Sequence, residues 1–270
     1  MGSSAITREH PARVALVTGA ARGIGRAVAL ALARDGRVVA VADLLEPQAQ
    51  EVAGEIELAG GHARAIELDV TDPASVASGA ARAAAELGPV DVLVNCAGWD
   101  QLRPFLDTDE SFWRRVIALN YEGCLRTTHA LLPGMLDRGW GRIVNVSSDA
   151  ARVGSAEEAV YAGAKAAVIA FTKTVARESA RRAVTANAVC PGPTDTAMLR
   201  SIETMINPDD PDAVRTAYRA AIPTGRYATP AEIANVVLFL LSDLAVTVTG
   251  AHYMADMGRT QVGASVTTVK

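Results

Sequence analysis

The stretch Val14-Ala15-Leu16-Val17-Thr18-Gly19-Ala20-Ala21-Arg22-Gly23-Ile24-Gly25 reads as a strand, a glycine-rich turn and the opening of a helix. Its apolar run is short and ends at a turn signal, whereas residues 24–34 carry an Ala-rich helical pattern. A strand that passes through such a turn into a helix presents backbone N–H groups at the helix N-terminus, which suit a dinucleotide pyrophosphate. The glycines fall at 19, 23 and 25, a spacing that departs from G-x-G-x-x-G. Taken alone, the same residues describe a tight turn that uses glycine for positive φ and close packing. Asp43 supplies the missing support. It ends the second strand about 20 residues after the turn, where a carboxylate accepts hydrogen bonds from an adenosine ribose and meets a 2′-phosphate as like charge. NAD is therefore expected over NADP, with Arg22 in the turn offsetting part of that repulsion.

The rest of the chain repeats the pattern. Strands are expected at residues 38–42, 63–68, 90–94, 142–147 and 184–189, and helices at 48–59, from Pro73 onward, at 110–136 and at 158–180. Alternation of short β-branched runs with longer helical ones implies right-handed βαβ crossovers and a parallel sheet covered on both faces. The expected fold class is α/β: a single-domain, doubly wound Rossmann-type fold with a parallel sheet of about seven strands and helices on both faces. Residues 12–258 are read as that domain, 1–11 as a disordered arm and 259–270 as a tail. Within the domain, 196–226 is read as a substrate lid, because Asn207-Pro208-Asp209-Asp210-Pro211-Asp212 breaks the helical patterns on either side.

Composition narrows the function classes. A chain of 270 residues with 50% apolar positions can bury one large core. A net charge of -4 gives no polyanion footprint, so nucleic acid is not an expected partner. Cys96, Cys124 and Cys190 are widely spaced in apolar runs and suit a reducing cytoplasm. Residues 1–10 are polar without an apolar leader, and no apolar stretch approaches a membrane span, so a cytoplasmic protein without a membrane partner is expected. None of the 4 histidines has a partner at metal-ligand spacing, and no metal is expected.

A second constellation carries chemistry. Tyr161 and Lys165 stand four apart in Tyr161-Ala162-Gly163-Ala164-Lys165, so a helix projects both from one face and sets the ammonium near the phenol. A neighbouring cation favours phenolate and moves a pKa of about 10 toward the range of a general acid/base. Ser148 follows the run Arg142-Ile143-Val144-Asn145-Val146-Ser147, which places its hydroxyl at the carboxyl edge of the sheet, where open α/β folds bind ligands. These groups suit hydride transfer between a nicotinamide and a small-molecule substrate. Trp99 and Asp100 are expected to overhang the mouth of the site, Asp149 and Val153 to build one wall, and Met198 to close over it from the lid. Glu157 and Glu158 are read as opening the Tyr161 helix, where negative charge complements the dipole, and Arg152 as a solvated side chain.

Taken in order, these motifs resemble those of the short-chain dehydrogenase/reductase family, from about residue 12 to residue 256. Thr18-Gly19-x-x-x-Gly23-Ile24-Gly25 matches the cofactor turn, and Asp69-Val70 the adenine-contacting position. Asn95-Cys96-Ala97-Gly98 matches the N-N-A-G strand end with Cys96 for the second Asn, and Asn120 matches a helix asparagine. Ser148, Tyr161 and Lys165 match the catalytic positions, while Pro191-Gly192, Thr194 and Thr196 match the segment that covers the nicotinamide. Asp256-Met257-Gly258 departs from the usual D-G-G. The resemblance implies that Tyr161 exchanges a proton with the substrate oxygen and that Ser148 hydrogen-bonds the same oxygen. It implies further that Lys165 lowers the Tyr161 pKa and bonds the nicotinamide ribose, and that Asn120 holds a water linking Lys165 to solvent. A homotetramer of D2 symmetry is the implied assembly.

The segments around Trp99, Ser148 and Pro191 are similar to family members that oxidise 2-hydroxycyclohexanecarboxyl-CoA, which implies a cyclic or β-hydroxyacyl-CoA alcohol as substrate. The alternative is an NADPH-dependent reductase of 3-oxoacyl-carrier-protein or polyketide intermediates. Asp43 argues against it, and a basic patch of Arg103, Arg152 and Arg200 would argue for it. A dinucleotide-binding protein without catalysis is the third reading, and the intact Ser148, Tyr161 and Lys165 weigh against that one.

Overall fold

The computed structural model describes residues 13–261. The arm expected at residues 1–11 and most of the tail expected at 259–270 lie outside the described residues. Seven strands, β1 (Val14–Thr18), β2 (Val38–Asp43), β3 (His62–Glu67), β4 (Val90–Asn95), β5 (Gly141–Val146), β6 (Val184–Pro191) and β7 (His252–Ala255), form one sheet. Their order is β3-β2-β1-β4-β5-β6-β7, with every neighbouring pair parallel. The helices are α1 (Gly23–Arg34), α2 (Glu46–Leu58), α3 (Pro73–Leu87), α4 (Glu110–Ile117), α5 (Gly123–Arg138), α6 (Ala150–Val153), α7 (Ala159–Ser179), α8 (Ala197–Ile206), α9 (Pro211–Ala220) and α10 (Pro230–Leu241). After β1 the chain runs outward to β3 and then returns to β4 on the other side of β1. Consecutive connections thus diverge between β1 and β4, and this switch point opens a crevice at the carboxyl ends of the strands.

The sheet is buried on both faces, which explains why its strands read as continuous apolar runs. On one face Val17, Val41 and Val94 pack with Val28 of α1, Ile56 of α2 and Leu240 of α10. On the other, Leu16, Ile66 and Ile143 pack with Val76 of α3, Met135 of α5 and Val175 of α7. The elements read from the sequence are present with ends moved by one or two residues, with one exception. The stretch 110–136, read as one helix, is α4, a π-helical turn at Ala118–Glu122, and α5. Within that turn the Asn120 side chain donates to the Val116 carbonyl at 3.0 Å, competing with the ordinary helical bond to the same acceptor. π-turns of this kind recur at functional sites.

The expectation that no apolar stretch approaches a membrane span needs correction. Ala159–Arg182 is 24 residues long with a mean hydropathy of 1.2 in its most apolar window, enough by length and composition alone. Its apolar character has a local cause. Through α7 this helix lies against the sheet and buries Val168, Ile169 and Val175.

The close approach that shapes the crevice is between the glycine turn and the end of β4. Gly19 has φ +65, and a Cβ on it would stand 2.8 Å from the Ala97 Cα; a Cβ on Gly25 would stand 2.1 Å from the Gly19 carbonyl oxygen. Both obstacles are backbone, so neither can swing aside. We therefore expect Gly25→Ala to displace the turn, to cost about 1–3 kcal/mol as overpacking does, and to weaken nucleotide binding. Thermal unfolding with and without nucleotide checks this, and a variant of unchanged stability and affinity would contradict it.

Candidate active site

The carboxyl ends of the central strands open onto a cavity of ≈ 500 Å³, within the range of small-molecule sites. Gly19, Arg22, Gly23, Ile24 and Gly25 line its β1 side. Arg22 is the N-cap of α1 and its side chain makes no capping bond. The first-turn N–H groups therefore lack an intrahelical or side-chain partner and face the crevice as anion donors. Asp43 closes β2 with its carboxylate fixed from two sides: one oxygen accepts from the Ala21 N–H at 2.9 Å, the other from the Leu45 N–H at 3.0 Å. Asp69 and Val70 line the same flank, with the Asp69 carboxylate accepting from the Thr71 N–H and hydroxyl. Ala97, Gly98, Pro191, Gly192, Thr194 and Thr196 continue the wall toward β6. An open helix N-terminus, a fixed carboxylate and a glycine cradle together fit a nicotinamide dinucleotide.

The reactive side chains stand at the other end. Lys165 on α7 is 4% exposed, and its Nζ donates to the Val146 carbonyl at 3.0 Å, 5.7 Å from the centroid of the Tyr161 ring. The absence of a side chain at Gly98 makes room for it, since a Cβ there would stand 3.3 Å from Nζ. The Ser148 hydroxyl, just past β5, accepts from the Ala150 N–H at 3.2 Å and donates to Asp149 Oδ1 at 3.3 Å. The Tyr161 phenol lines the same cavity. Two hydroxyl groups and an ammonium thus converge on one wall, an arrangement able to hold a carbinol or carbonyl oxygen and pass it a proton.

Burial, and after it the charges of Asp100 and Glu158, pushes the Tyr161 phenol above its ordinary pKa, and burial draws the Lys165 ammonium below its own. The net shift of the phenol is upward, against the expected move toward the working range of an acid/base. Both groups are desolvated, and loss of hydration is the largest cause of each shift. The Cys96 thiol at the cavity edge is pushed up by burial to about 12, so it stands there as a neutral thiol.

Three expected residues are placed differently from the rest. Asn120 lies behind the wall: its Oδ1 accepts from the Trp99 N–H at 3.2 Å and its Nδ2 donates to the Trp99 carbonyl at 2.8 Å. With Asn95 and Lys165 it borders a small cavity of ≈ 10 Å³, about one water in size. Asn95, expected to touch cofactor, lies beneath the large cavity. Its Nδ2 donates to Asn145 Oδ1 at 2.8 Å and Thr128 Oγ1 at 3.1 Å, and its Oδ1 accepts from the Thr127 hydroxyl at 2.6 Å. That amide is consumed in joining β4 to β5 and α5. Val153, expected in the pocket, ends the short α6 with 62% exposure and is outside the cavity wall.

Trp99, Asp100, Asp149 and Met198 do line the cavity, as do residues that sequence reasoning missed: Arg115, Glu158, Tyr218 and Arg259. The Arg115 guanidinium sits 4.1 Å over the Trp99 ring, and Arg259 pairs with Asp149 from a turn after β7. Arg259 had no local signal, because the contact joins residues far apart in the chain. Arg115 could have been found only by knowing that the π-turn follows it. Met198 and Tyr218 arrive from α8 and α9, the segment read as a lid.

Comparisons with known proteins agree with this geometry. Residues 19–260 match the family model described as enoyl-(acyl carrier protein) reductase. The chain is 39% identical over 249 residues to the oxidoreductase UcpA of Escherichia coli K12, covering 92% of this chain and 94% of that one. It is 38% identical over 238 residues to the 3-oxoacyl-[acyl-carrier-protein] reductase FabG of the same strain, covering 88% and 93%. A crystal structure of an actinorhodin polyketide ketoreductase variant with NADPH superposes with a TM-score of 0.89 at 34% identity, over 93% of this chain and 98% of that one. With its seven-stranded parallel sheet and its match over nearly the whole length, the chain belongs to the short-chain dehydrogenase/reductase family of NAD(P)-dependent oxidoreductases.

Proposed function

We propose that the protein is an NAD-dependent oxidoreductase that interconverts a secondary alcohol and a ketone on a cyclic or β-hydroxyacyl-CoA substrate. The observation that carries this reading is the convergence of Ser148, Tyr161 and Lys165 on the cavity that the open N-terminus of α1 also faces. Bound there, the nicotinamide supplies or accepts the hydride and in its oxidised form brings a positive charge into the pocket. Ser148 holds the substrate oxygen by a hydrogen bond that strengthens as negative charge develops on it. Tyr161 donates a proton to that oxygen during reduction and accepts it during oxidation. Lys165 keeps a positive charge close to the phenol, and Asn120 fixes the Trp99 backbone beside it. Residues 196–226 act as the lid, with α8 and α9 excluding water over the cavity.

The substrate class is supported by relatives named for a 3-oxoacyl-carrier-protein reductase and a polyketide ketoreductase. Those relatives also support a second reading, an NADPH-dependent reductase of carrier-linked ketones. Against it stands the fixed Asp43 carboxylate, and two of the three cations it calls for are engaged: Arg200 pairs with Asp195, and Arg103 lies over the Phe112 ring. Three free cysteines among the described residues support a reducing, cytoplasmic setting. Only 39% of the most apolar window of Ala159–Arg182 is buried, and we assign its uncovered face to contact with further copies in a homotetramer.

Three results are expected. Tyr161→Phe should lower turnover about 10²–10⁴-fold while nucleotide binding, followed by fluorescence titration, is kept; full activity would contradict the acid/base assignment. Initial rates on β-hydroxyacyl thioesters should favour NAD over NADP, and Asp43→Ala should shift that preference toward NADP by about tenfold or more, 1.4 kcal/mol per tenfold. An unchanged ratio would remove Asp43 from cofactor choice. Because the raised phenol must ionise to accept a proton, oxidation should speed up with rising pH, whereas reduction, which uses the neutral phenol, should slow. Parallel pH–rate profiles in both directions check this, and two profiles of the same sign would contradict it.

A further inference from the structure

The Ser148 hydroxyl has one hydrogen to give, and it is given to Asp149. A carboxylate only accepts hydrogen bonds, so across the 3.3 Å from Ser148 Oγ to Asp149 Oδ1 the hydroxyl is the donor. Ser148 Oγ also accepts from the Ala150 N–H at 3.2 Å. What remains for the cavity is a lone pair, whereas the proposed reaction has Ser148 donate to an oxygen that gains negative charge. The bond to Asp149 must therefore be exchanged for one to the substrate. At 3.3 Å it is longer than the usual O–H···O bond, which lowers the cost of that exchange.

Releasing the serine deprives Asp149 Oδ1 of that donor in a buried side chain. Arg259 is placed to hold the charge. Its Nη1 pairs with Asp149 Oδ2, and it lines the large cavity together with Asp149, Ser148 and Tyr161. The turn that presents it follows β7 and closes on the buried Asp256 carboxylate, which accepts from the Gly258 N–H at 3.1 Å and the Thr260 N–H at 2.9 Å. Met257 holds φ +55 within that turn, a conformation costly for a residue with a Cβ. On the other side, the Asp149 N–H donates to the Pro191 carbonyl at 2.9 Å. Both partners are thus carried on fixed backbone, and the Arg259 charge opposes the rise that burial imposes on the Asp149 carboxyl.

We propose that Asp149 and Arg259 form a positioning pair that holds the Ser148 hydrogen and releases it to the substrate oxygen during hydride transfer. This rests on the reading of Ser148 as the group that hydrogen-bonds that oxygen. The step is a rotation about the Cβ–Oγ bond of Ser148, and only hydrogen bonds are exchanged. With Arg259 in place, the carboxylate keeps a charge-assisted partner after the hydroxyl has turned away. Without the cation, a buried and negative Asp149 holds the serine hydrogen more firmly, because giving it up would leave the charge unpaired. When Asp149 is neutralised as well, the hydroxyl is free to turn again.

Initial rates of reduction of cyclohexanone and of acetoacetyl-CoA, with whichever reduced nicotinamide cofactor is faster, test the pair in a cycle with Ser148. Arg259→Gln should lower kcat about tenfold or more with KM little changed, and Arg259→Lys, which keeps the charge, should lose less. In the Ser148→Ala background the same Arg259→Gln change should alter the residual rate by no more than about twofold. An equal fall in both backgrounds would show a merely structural tie, and a loss confined to KM would make Arg259 a substrate contact; either overturns the pair. The second arm is the infrared carbonyl stretch of cyclohexanone bound with oxidised cofactor, which reads the serine bond without turnover. Its shift to lower frequency should shrink in Arg259→Gln and return in the double variant Arg259→Gln/Asp149→Asn, and a stretch that Arg259→Gln does not move would overturn the pair. If Ser148→Ala loses turnover while Arg259→Gln keeps it, this inference alone fails; if Ser148→Ala keeps full turnover, the reading of Ser148 fails and the pair falls with it.

Discussion

A buried ammonium at the edge of a parallel sheet is the constraint around which this molecule is arranged. Lys165 is withdrawn from water and bound through the Val146 carbonyl, so α7 is tied to the end of β5 where Ser148 emerges. Burial works against its charge, and the surroundings answer with small and polar groups rather than with a paired carboxylate. Gly98 gives it space, Asn120 stands beside that glycine, and the amide of Asn95 braces the strands below. Movement of any of these would shift the distance between ammonium and phenol. The sheet supplies the rigidity that such a distance needs.

Charge is distributed unevenly around the cavity. At the β1 end, an open helix N-terminus favours an anion, while the fixed Asp43 carboxylate disfavours a second one nearby. At the α7 end, hydroxyl groups, an ammonium and the carboxyls of Asp100, Asp149 and Glu158 line one cavity. The first end fits a dinucleotide; the second holds the groups proposed to move a proton. Loss of solvent around Tyr161 raises its phenol most, and the charges of Asp100 and Glu158 add to that shift.

The fold was legible because its signals are local. The run from Val14 to Gly25 states strand, turn and helix in succession, and the alternation that follows leaves little freedom in topology. The convergence of the groups proposed to react was legible for a related reason: Tyr161 and Lys165 share a helix face by spacing, and Ser148 follows a strand. Asn95 was misplaced because strand-end position does not reveal whether an amide faces ligand or binds its neighbours. Val153 was misplaced because α6 is too short for its face to be read from periodicity. The pairing of Asp149 with Arg259 escaped the sequence altogether, since it joins segments distant in the chain. The π-turn at Asn120 was hidden inside a continuous helical pattern.

The central claim is that hydride passes directly between a carbinol carbon and the nicotinamide in the cavity lined by Tyr161. It is tested most directly with a β-hydroxyacyl thioester deuterated at the carbinol carbon, incubated with enzyme and oxidised cofactor, with the reduced cofactor then analysed by mass spectrometry. The account predicts that the deuterium is recovered in the reduced nicotinamide. Reduced cofactor that carries no deuterium, with the label released to water, would contradict it.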